Sequence, residues 1–195
     1  MAACVKQAGG NVDELSKAKA QKAVVKNETL NADIAVVGAG AAGQTAAIRA
    51  SQLGKKVILI EKMPYLGGDT ILNAGTLIAT GSRYQRDVMK ETKDSPELAY
   101  KDIMHVGKNR NDPVLVKMVI EKAGSVVDWL IDDLKIPYGP AATQYPDHSA
   151  SRQLGVTGRS PNFIRTMARI FTDHGGKILM ETRATSLIYK GGRVD

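Results

Sequence analysis

A glycine-rich hexapeptide, Gly38-Ala-Gly40-Ala-Ala-Gly43, narrows the possible folds of this 195-residue chain more than any other segment. It follows a short apolar run, Asp33–Val37, that is typical of a buried strand stopped by glycine. It leads into an alanine-rich stretch, Gly43–Leu53, whose apolar residues recur at helical spacing. A strand, a glycine turn and a helix in this order predict the first part of a βαβ unit.

A second β-branched run, Lys56–Ile60, completes that unit. Two parallel strands joined by a helix require a right-handed crossover, so the predicted fold class is α/β, a Rossmann-like domain with a parallel sheet. Further helices are predicted over 94–107, 112–134 and 162–173, and further strands over 177–181 and 185–190. Asp112 and Pro113 predict the N-cap and the first residue of the second of these helices.

Two segments rich in glycine, proline and small residues, 67–82 and 137–161, are predicted to be irregular. Near the end of the chain, Gly191-Gly192 predicts a hairpin turn. A sheet that stopped directly after this turn would keep an unpaired edge, which folded domains avoid. We therefore expect the chain to be the N-terminal portion of a longer protein, truncated before its next domain.

The hexapeptide also predicts a binding function. Gly38 permits a tight turn, Gly40 lets the backbone approach a pyrophosphate, and the helix N-terminus adds positive potential. Gly43 allows the helix to pack closely on the strand. Glu61 follows the second strand, 18 residues beyond Gly43, where a carboxylate can accept hydrogen bonds from ribose hydroxyls. This carboxylate would repel a 2′-phosphate, which argues against NADP but leaves NAD and FAD open.

A second loop of small residues follows Glu61 and favours FAD over NAD. It contains Gly67-Gly68-Asp69-Thr70 and then Asn73-Ala74-Gly75-Thr76. Backbone N–H groups of such a loop can line a long, extended cofactor, which a simple NAD-dependent dehydrogenase would not need. The sequence therefore predicts an FAD site.

Composition excludes several other classes of protein. The net charge of +7 comes from scattered basic residues, and aromatic residues make up only 5% of the chain, so a nucleic-acid partner is not expected. A single cysteine, Cys4, rules out a disulfide framework and a cysteine-ligated metal site, and no metal is expected. The apolar runs are too short to span a membrane. Nothing in the sequence decides between bacterial cytoplasm and periplasm.

Six short segments together carry a resemblance to a known family: Asp33–Gly43, Ile58–Lys62, Gly67-Gly68, Asp94–Leu98, Asn111–Pro113 and Val127–Trp129. On these segments the chain resembles the FAD-binding flavoproteins of the fumarate reductase and succinate dehydrogenase family. Within it, the chain is most similar to the soluble fumarate reductase and urocanate reductase types, which are flavocytochrome c-like. The resemblance covers residues 32–195, which we expect to form an incomplete FAD-binding domain.

The resemblance implies a set of cofactor contacts. Ala42, Gly43 and Glu61 would touch the ADP part of FAD, and the second loop would lie along the pyrophosphate and flavin, with Asp69 at a position where the family usually has Asn. The complete expected set is Gly38, Gly40, Ala42, Gly43, Glu61, Lys62, Gly68, Asp69, Thr70, Gly75, Thr76 and Ala184. The family's covalent attachment needs a histidine near Gly67-Gly68, and none is present there, so non-covalent FAD is expected.

The resemblance also implies a reaction, the reduction of the C=C bond of an unsaturated carboxylate by hydride transfer from flavin N5. The proton donor of the family lies on a domain beyond this chain, so the chain alone is expected to bind FAD without turnover. Where relatives carry His-Arg, this chain has Ser151-Arg152. Arg152 could pair with a substrate carboxylate in bidentate fashion or be a surface arginine, and His148 could replace the missing histidine.

The segment Ala2–Gly10 resembles the end of a small FMN-binding domain, so residues 1–31 are interpreted as a linker or the tail of such a domain, with an unstructured leader as the alternative. A short helix is predicted over Glu14–Val25. An electron-donor domain or protein is expected as a partner. Two other functions stay open: a non-catalytic FAD-binding module, and an amino-acid oxidase or ketosteroid dehydrogenase on the same scaffold.

Overall fold

The computed structural model describes residues 28–191 and 193–194, apart from the side chains of 140–143 and 193. The predictions made for Glu14–Val25 and Ala2–Gly10 lie outside these residues. In chain order the elements are β1 (Ile34–Val37), α1 (Ala41–Gln52), β2 (Val57–Ile60), a 3-10 helix (Gly68–Leu72), β3 (Thr76–Ile78), α2 (Arg83–Asp87), α3 (Pro96–Val106), α4 (Pro113–Asp132), β4 (Tyr138–Thr143), β5 (Gln153–Val156), α5 (Arg159–Asp173), β6 (Lys177–Leu179), β7 (Tyr189–Lys190) and β8 (Arg193–Val194).

A parallel sheet of order β1-β2-β6 confirms the predicted βαβ unit. Ile34 pairs with Val57, and Ile58 pairs with Lys177, both in parallel register. Helices α1 and α5 contact each other beside this sheet. Apolar residues of strand β2 and of both helices form the main core, because the central strand of a parallel sheet is covered on its faces.

A second, antiparallel sheet of order β3-β5-β4 corrects the sequence prediction. The segment 137–161, predicted to be irregular, contains both β4 and β5, and the segment 67–82 contains the 3-10 helix and β3. Gly139 and Pro140 interrupt β4, and the register with β5 shifts between Tyr138 and Ala142. Propensity alone favours a loop there, whereas pairing with β5 supplies the backbone hydrogen bonds that make it a strand.

The predicted helix termini are largely confirmed. Asp112 Oδ1 accepts hydrogen bonds from the N–H groups of Val114 and Leu115 at the start of α4, and Pro113 is the first helical residue. Helix α5 begins at Arg159, three residues earlier than predicted.

The end of the chain differs from its prediction. The predicted hairpin is confirmed, because β7 pairs antiparallel with β8. The prediction of a strand over 185–190 is wrong for most of its length, since only Tyr189–Lys190 is extended. Leu187 and Ile188 are exposed, and without burial their β propensity does not produce a strand. Among the described residues, no helix combines the length and the apolar character needed to cross a membrane.

Candidate dinucleotide-binding site

The glycine turn between β1 and α1 has the geometry that its sequence predicts. Gly38 adopts a φ of +97°, a conformation that disfavours any residue with a Cβ. A Cβ on Gly43 would lie 1.8 Å from the carbonyl oxygen of Gly38, so only glycine allows the helix to approach the turn this closely. Gly38 and Gly43 therefore fix the backbone path, and Gly43 lines neither of the two cavities described below.

The N-terminus of α1 is open. Gly40 is its N-cap, no side chain caps its first N–H groups from that position, and its first turn contains no acidic residue. A Cβ on Gly40 would meet nothing closer than the Gly67 carbonyl oxygen at 3.6 Å. Thr70 Oγ1 accepts a hydrogen bond from the N–H of Ala41 at 3.3 Å. The free N–H groups and the helix dipole together suit an anionic group such as a pyrophosphate.

Glu61 lies directly after β2 and is 6% exposed. Its Oε2 accepts a hydrogen bond from the N–H of Ala39 at 2.9 Å, and its Oε1 accepts one from the N–H of Met63 at 2.8 Å. Burial raises the pKa of this carboxyl, but the backbone hydrogen bonds and the charge of Lys62 outweigh it, and the pKa of Glu61 is lowered overall. Glu61 is therefore an ionised group that holds the glycine turn against the end of β2.

A cavity of about 780 Å³ opens above this turn. The turn residues Gly38 and Gly40 and the residues after β2, Glu61 and Lys62, line it on one side. The segment after β6, from Thr182 to Ala184, lines it as well. The cavity thus lies outside the carboxyl ends of the parallel strands, which is the place where open α/β sheets bind ligands.

A second cavity of about 310 Å³ adjoins the first at Asp69, which lines both. Its walls come from the N-terminal part of α1, the loop around Gly75, and helices α4 and α5. Leu77, Leu130 and Phe163 give it an apolar side, and Thr70 and Thr76 add hydroxyl groups. The two cavities together can accept a longer molecule than either alone.

Most predicted site residues fall on these cavities. Gly38, Gly40, Glu61, Lys62, Gly68, Asp69 and Ala184 line the first, and Asp69, Thr70, Gly75 and Thr76 line the second. Ala42 is exposed on α1 and lines neither. A strand was predicted to follow Ala184 directly, over 185–190. In the structure, Ala184 and the residues up to 188 form an exposed segment without regular structure.

Several lining residues were not predicted. They are Val37, Met63, Tyr65, Thr182 and Arg183 at the first cavity, and Thr45, Val126, Leu130, Ser160 and Phe163 at the second. The position of Thr182 just beyond the third parallel strand is a signal that could have found it. Val126, on α4, is 43% exposed. Ser160 and Phe163 lie on a helix more than 80 residues from Gly75 in sequence, and only the tertiary fold brings them together.

Arg152 differs most from its prediction. Its side chain is completely buried just before β5, so the interpretation as a surface arginine is wrong. Its guanidinium binds Asp94 in bidentate fashion, with Nη2 to Oδ1 at 2.7 Å and Nε to Oδ2 at 3.3 Å, and Nη1 lies 2.6 Å from Asp102 Oδ2. Arg152 lines neither cavity, and the bidentate partner that its chemistry predicted is a carboxylate of this chain.

A polar network surrounds this ion cluster. Asp102 accepts hydrogen bonds from the N–H and the hydroxyl of Ser149, both at 2.8 Å. Burial raises the pKa of Asp102, but the hydrogen bonds from Ser149 and Arg152 outweigh it and leave the pKa lowered. Asp94 Oδ2 also accepts from Gln85 Nε2 at 2.7 Å. The network joins α2, α3 and the residues before β5, so it holds the second sheet in place.

His148 and Tyr145 extend the network toward the second cavity. The Nη1 of Arg152 donates to His148 Nδ1 at 2.7 Å, and burial together with the arginine charge lowers the pKa of His148. The rings of His148 and Tyr145 are 5.3 Å apart between centroids. The hydroxyls of Tyr145 and Thr76 lie within 3.3 Å of each other.

Comparison with known proteins agrees with this geometry. The profile of the FAD binding domain family matches residues 33–195. The fumarate reductase (cytochrome) of Shewanella frigidimarina is 42% identical over 123 residues, which are 61% of this chain and 21% of that protein. The urocanate reductase of Eggerthella lenta is 35% identical over 136 residues, 70% of this chain and 22% of that protein.

Among solved structures, the open conformation of a flavocytochrome c3 fumarate reductase superposes with a TM-score of 0.72 at 26% sequence identity. The superposition covers 92% of this chain and 31% of that chain. The chain therefore spans between about a fifth and a third of the length of the proteins that it matches.

Proposed function

Because the chain belongs to the FAD binding domain family, we propose that it holds FAD without a covalent bond, with the cofactor extended across both cavities. The observation that supports this most is the open N-terminus of α1 at the floor of the larger cavity. A pyrophosphate would lie over Gly38 and Gly40, with the adenosine toward Glu61 and Ala184. The flavin would then extend past Asp69 toward Gly75 and the second cavity.

The residues present fit this cofactor. The empty position beside Gly40, which a Cβ would fill, leaves room for the pyrophosphate oxygens to approach the backbone. The ionised Glu61 can accept a further hydrogen bond from a ribose hydroxyl, because a carboxylate has about four acceptor positions and two are used here. The residues proposed to contact FAD are Gly38, Gly40, Glu61, Lys62, Gly68, Asp69, Thr70, Gly75, Thr76 and Ala184. The segment 64–76 contains no histidine, which supports non-covalent binding.

We further propose that the protein reduces the C=C bond of an unsaturated carboxylate. Bound FAD supplies a two-electron carrier that can deliver a hydride. The named activities of the relatives, fumarate reductase and urocanate reductase, support this substrate class. The chain's own residues bind and orient the cofactor, whereas the proton donor and the electron donor, an FMN domain or a separate protein, are proposed to lie outside residues 32–195.

An absorbance spectrum of the purified protein tests the cofactor. We expect flavin bands, and after denaturation and filtration we expect the flavin in the filtrate. Flavin retained with the denatured chain would contradict non-covalent binding. A colourless protein that takes up no added FAD would contradict the FAD site, and a titration with NADH would then test the other dinucleotide.

Two matched variants locate the site. Gly40→Val places a branched side chain over the open N-terminus of α1, and we expect FAD binding to be lost. Gly155→Val is the control, since a Cβ on Gly155 has no neighbour within 4 Å and this residue lines neither cavity. Equal FAD affinity in both variants would contradict the proposed position of the pyrophosphate.

Activity assays with a reduced viologen as donor test the reaction. We expect the full-length protein to oxidise the dye when fumarate or urocanate is added. Turnover with oxygen as acceptor, and none with either carboxylate, would favour the oxidase or dehydrogenase alternative. Flavin binding without any turnover in the full-length protein would favour a non-catalytic FAD-binding module.

A further inference from the structure

The hydroxyl of Thr76 belongs to the wall of the second cavity, at the first position of β3. The backbone of this residue is held in place, because its N–H donates a hydrogen bond to Asn73 Oδ1 at 3.3 Å and the residue pairs with Gly155 of β5. A threonine hydroxyl carries one proton and rotates about its C–O bond, so it can either donate or accept towards a ligand. Its role in the cavity therefore depends on what else binds its oxygen.

Tyr145 contacts this hydroxyl from outside the cavity. Its phenolic oxygen lies 3.3 Å from Thr76 Oγ1, and Tyr145 lines neither of the two cavities. Among the described residues, the phenolic hydroxyl has no other polar partner. A phenol is more acidic than an aliphatic alcohol, which makes it the stronger donor and the weaker acceptor. The tyrosine therefore donates this hydrogen bond, and the threonine oxygen accepts it.

The ring of Tyr145 is supported by the ion cluster around Arg152. An arginine has no acceptor atom, so its Nη1 donates to His148 Nδ1 at 2.7 Å, and the neutral imidazole keeps its proton on Nε2. The imidazole packs against the ring of Tyr145, with the centroids 5.3 Å apart and the planes tilted by 49°. Since Arg152 is itself bound by two aspartates, the phenol is held at Thr76 by a rigid support.

This arrangement determines the direction of the Thr76 proton. With the phenol donating to Oγ1 from outside, the proton of Thr76 is free to point into the cavity. Leu77 and Phe163 make the neighbouring wall apolar. A hydroxyl in such surroundings requires an acceptor, and an acceptor atom of the bound molecule can satisfy it.

We propose that Tyr145 is a positioning residue, which donates to Thr76 Oγ1 and thereby orients the Thr76 hydroxyl as a hydrogen-bond donor to the molecule in the second cavity. The inference deepens the proposed function and rests on it, since that molecule is then the flavin part of FAD. Tyr145 acts on the cofactor through Thr76 alone.

The experiment is a double-mutant cycle in the full-length protein, with the Kd of FAD measured by flavin fluorescence. Thr76→Val removes the donor and should raise the Kd about 3- to 10-fold, the effect of one neutral hydrogen bond. Tyr145→Phe keeps the donor but frees its rotation, so the Kd should rise less, about 2- to 5-fold. In the double variant we expect no rise beyond that of Thr76→Val, because the tyrosine has nothing left to orient.

Tyr84→Phe is the matched control. The Tyr84 hydroxyl also makes one hydrogen bond, to the carbonyl oxygen of Gly139 at 2.8 Å, and Tyr84 lines neither cavity. We expect this variant to lower the melting temperature without a change in the Kd of FAD. The absorption spectrum of bound flavin should shift in Tyr145→Phe and stay unchanged in Tyr84→Phe. Thr76→Ser keeps a hydroxyl, so it should restore FAD affinity and the sensitivity to Tyr145→Phe.

Two results would overturn the positioning role of Tyr145. One is a Kd that Tyr145→Phe leaves unchanged or that Tyr84→Phe raises equally. The other is an effect of Tyr145→Phe that persists in full when Thr76 is already valine. Failure of the unmodified protein to bind FAD would instead overturn the proposed function, and its own titration detects that failure before any variant is compared.

Discussion

The glycine turn at β1 and the ion cluster around Arg152 hold the chain together in opposite ways. The turn is built from backbone: Gly38, Gly43 and Gly67 contribute by having no side chain, and backbone N–H groups bind Glu61. The cluster is built from side chains, with Arg152 between two buried aspartates that lie 50 and 58 residues away in sequence. A turn that is to bind a ligand needs empty space and free hydrogen-bond donors. A buried ion cluster that stabilises the fold needs every donor paired.

Removal of the arginine should have the largest effect. Arg152→Met leaves Asp94 and Asp102 buried without their cation, and we expect a loss of about 3–5 kcal/mol in the free energy of unfolding. The control is Arg83→Met, since Arg83 also pairs with two aspartates but has a side chain that is 60% exposed. We expect that control to lose less than about 1 kcal/mol in urea unfolding. Similar losses in the two variants would show that burial of the ion cluster has no energetic consequence.

The second-largest loss of stability is expected from adding a methyl group at Gly43, where a Cβ has the least room. Gly43→Ala forces a Cβ against the Gly38 carbonyl, so the helix must move away from the turn, and we expect a loss of about 2–3 kcal/mol together with weaker FAD binding. Gly155→Ala, at an open strand position, should be within about 0.5 kcal/mol of the unmodified protein. Thermal unfolding measures both, and a stable Gly43→Ala variant would contradict the close packing of α1 on the turn.

Substitution of Glu61, the carboxylate that binds the glycine turn, should reduce stability less than either of the two changes above. Glu61→Gln keeps one acceptor oxygen but places an amide NH₂ against a backbone N–H, and we expect a loss of about 1–3 kcal/mol from that unsatisfied donor. The matched control is Glu121→Gln on the surface of α4, which should be nearly neutral. An FAD titration of the same variants then separates a loss of fold from a loss of ribose contact.

The smallest expected effect is the change in unfolding free energy at low pH, which tests the ion cluster through Asp102. The pKa of Asp102 is lowered in the folded protein from its usual 3.8, so the unfolded chain binds a proton at higher pH than the folded chain. The stabilisation is therefore present above about pH 4 and is lost as the pH falls through the folded pKa. In Asp102→Asn the titrating group is gone, so the gap in unfolding free energy between the two proteins should narrow from pH 6 to pH 3. A constant gap would mean that Asp102 titrates alike in both states.

The same contrast explains which parts of the site could be predicted. The glycine spacing, the following helix and the acidic residue after β2 are local features, and each lies where the sequence predicted. Helix α4 begins at Pro113 after its Asp112 cap for the same reason, because a cap acts within one turn of the chain. By contrast, β4 contains Gly139 and Pro140, and it is a strand only because β5 pairs with it from a distance.

The sequence by itself determined the α/β fold and the position of a candidate dinucleotide site, through the glycine hexapeptide, Glu61 and the alternation of short strands with helices. These features are local, because turn geometry, helix caps and strand burial depend on neighbours in sequence. Only the tertiary structure decided that Arg152 is an anchor enclosed by two aspartates, and that Ser160 packs against Gly75 beside the second cavity. Those facts depend on pairs of residues more than 40 positions apart. The charges of Arg152 and the two aspartates acquire a structural role only when folding removes these side chains from water and pairs them with one another.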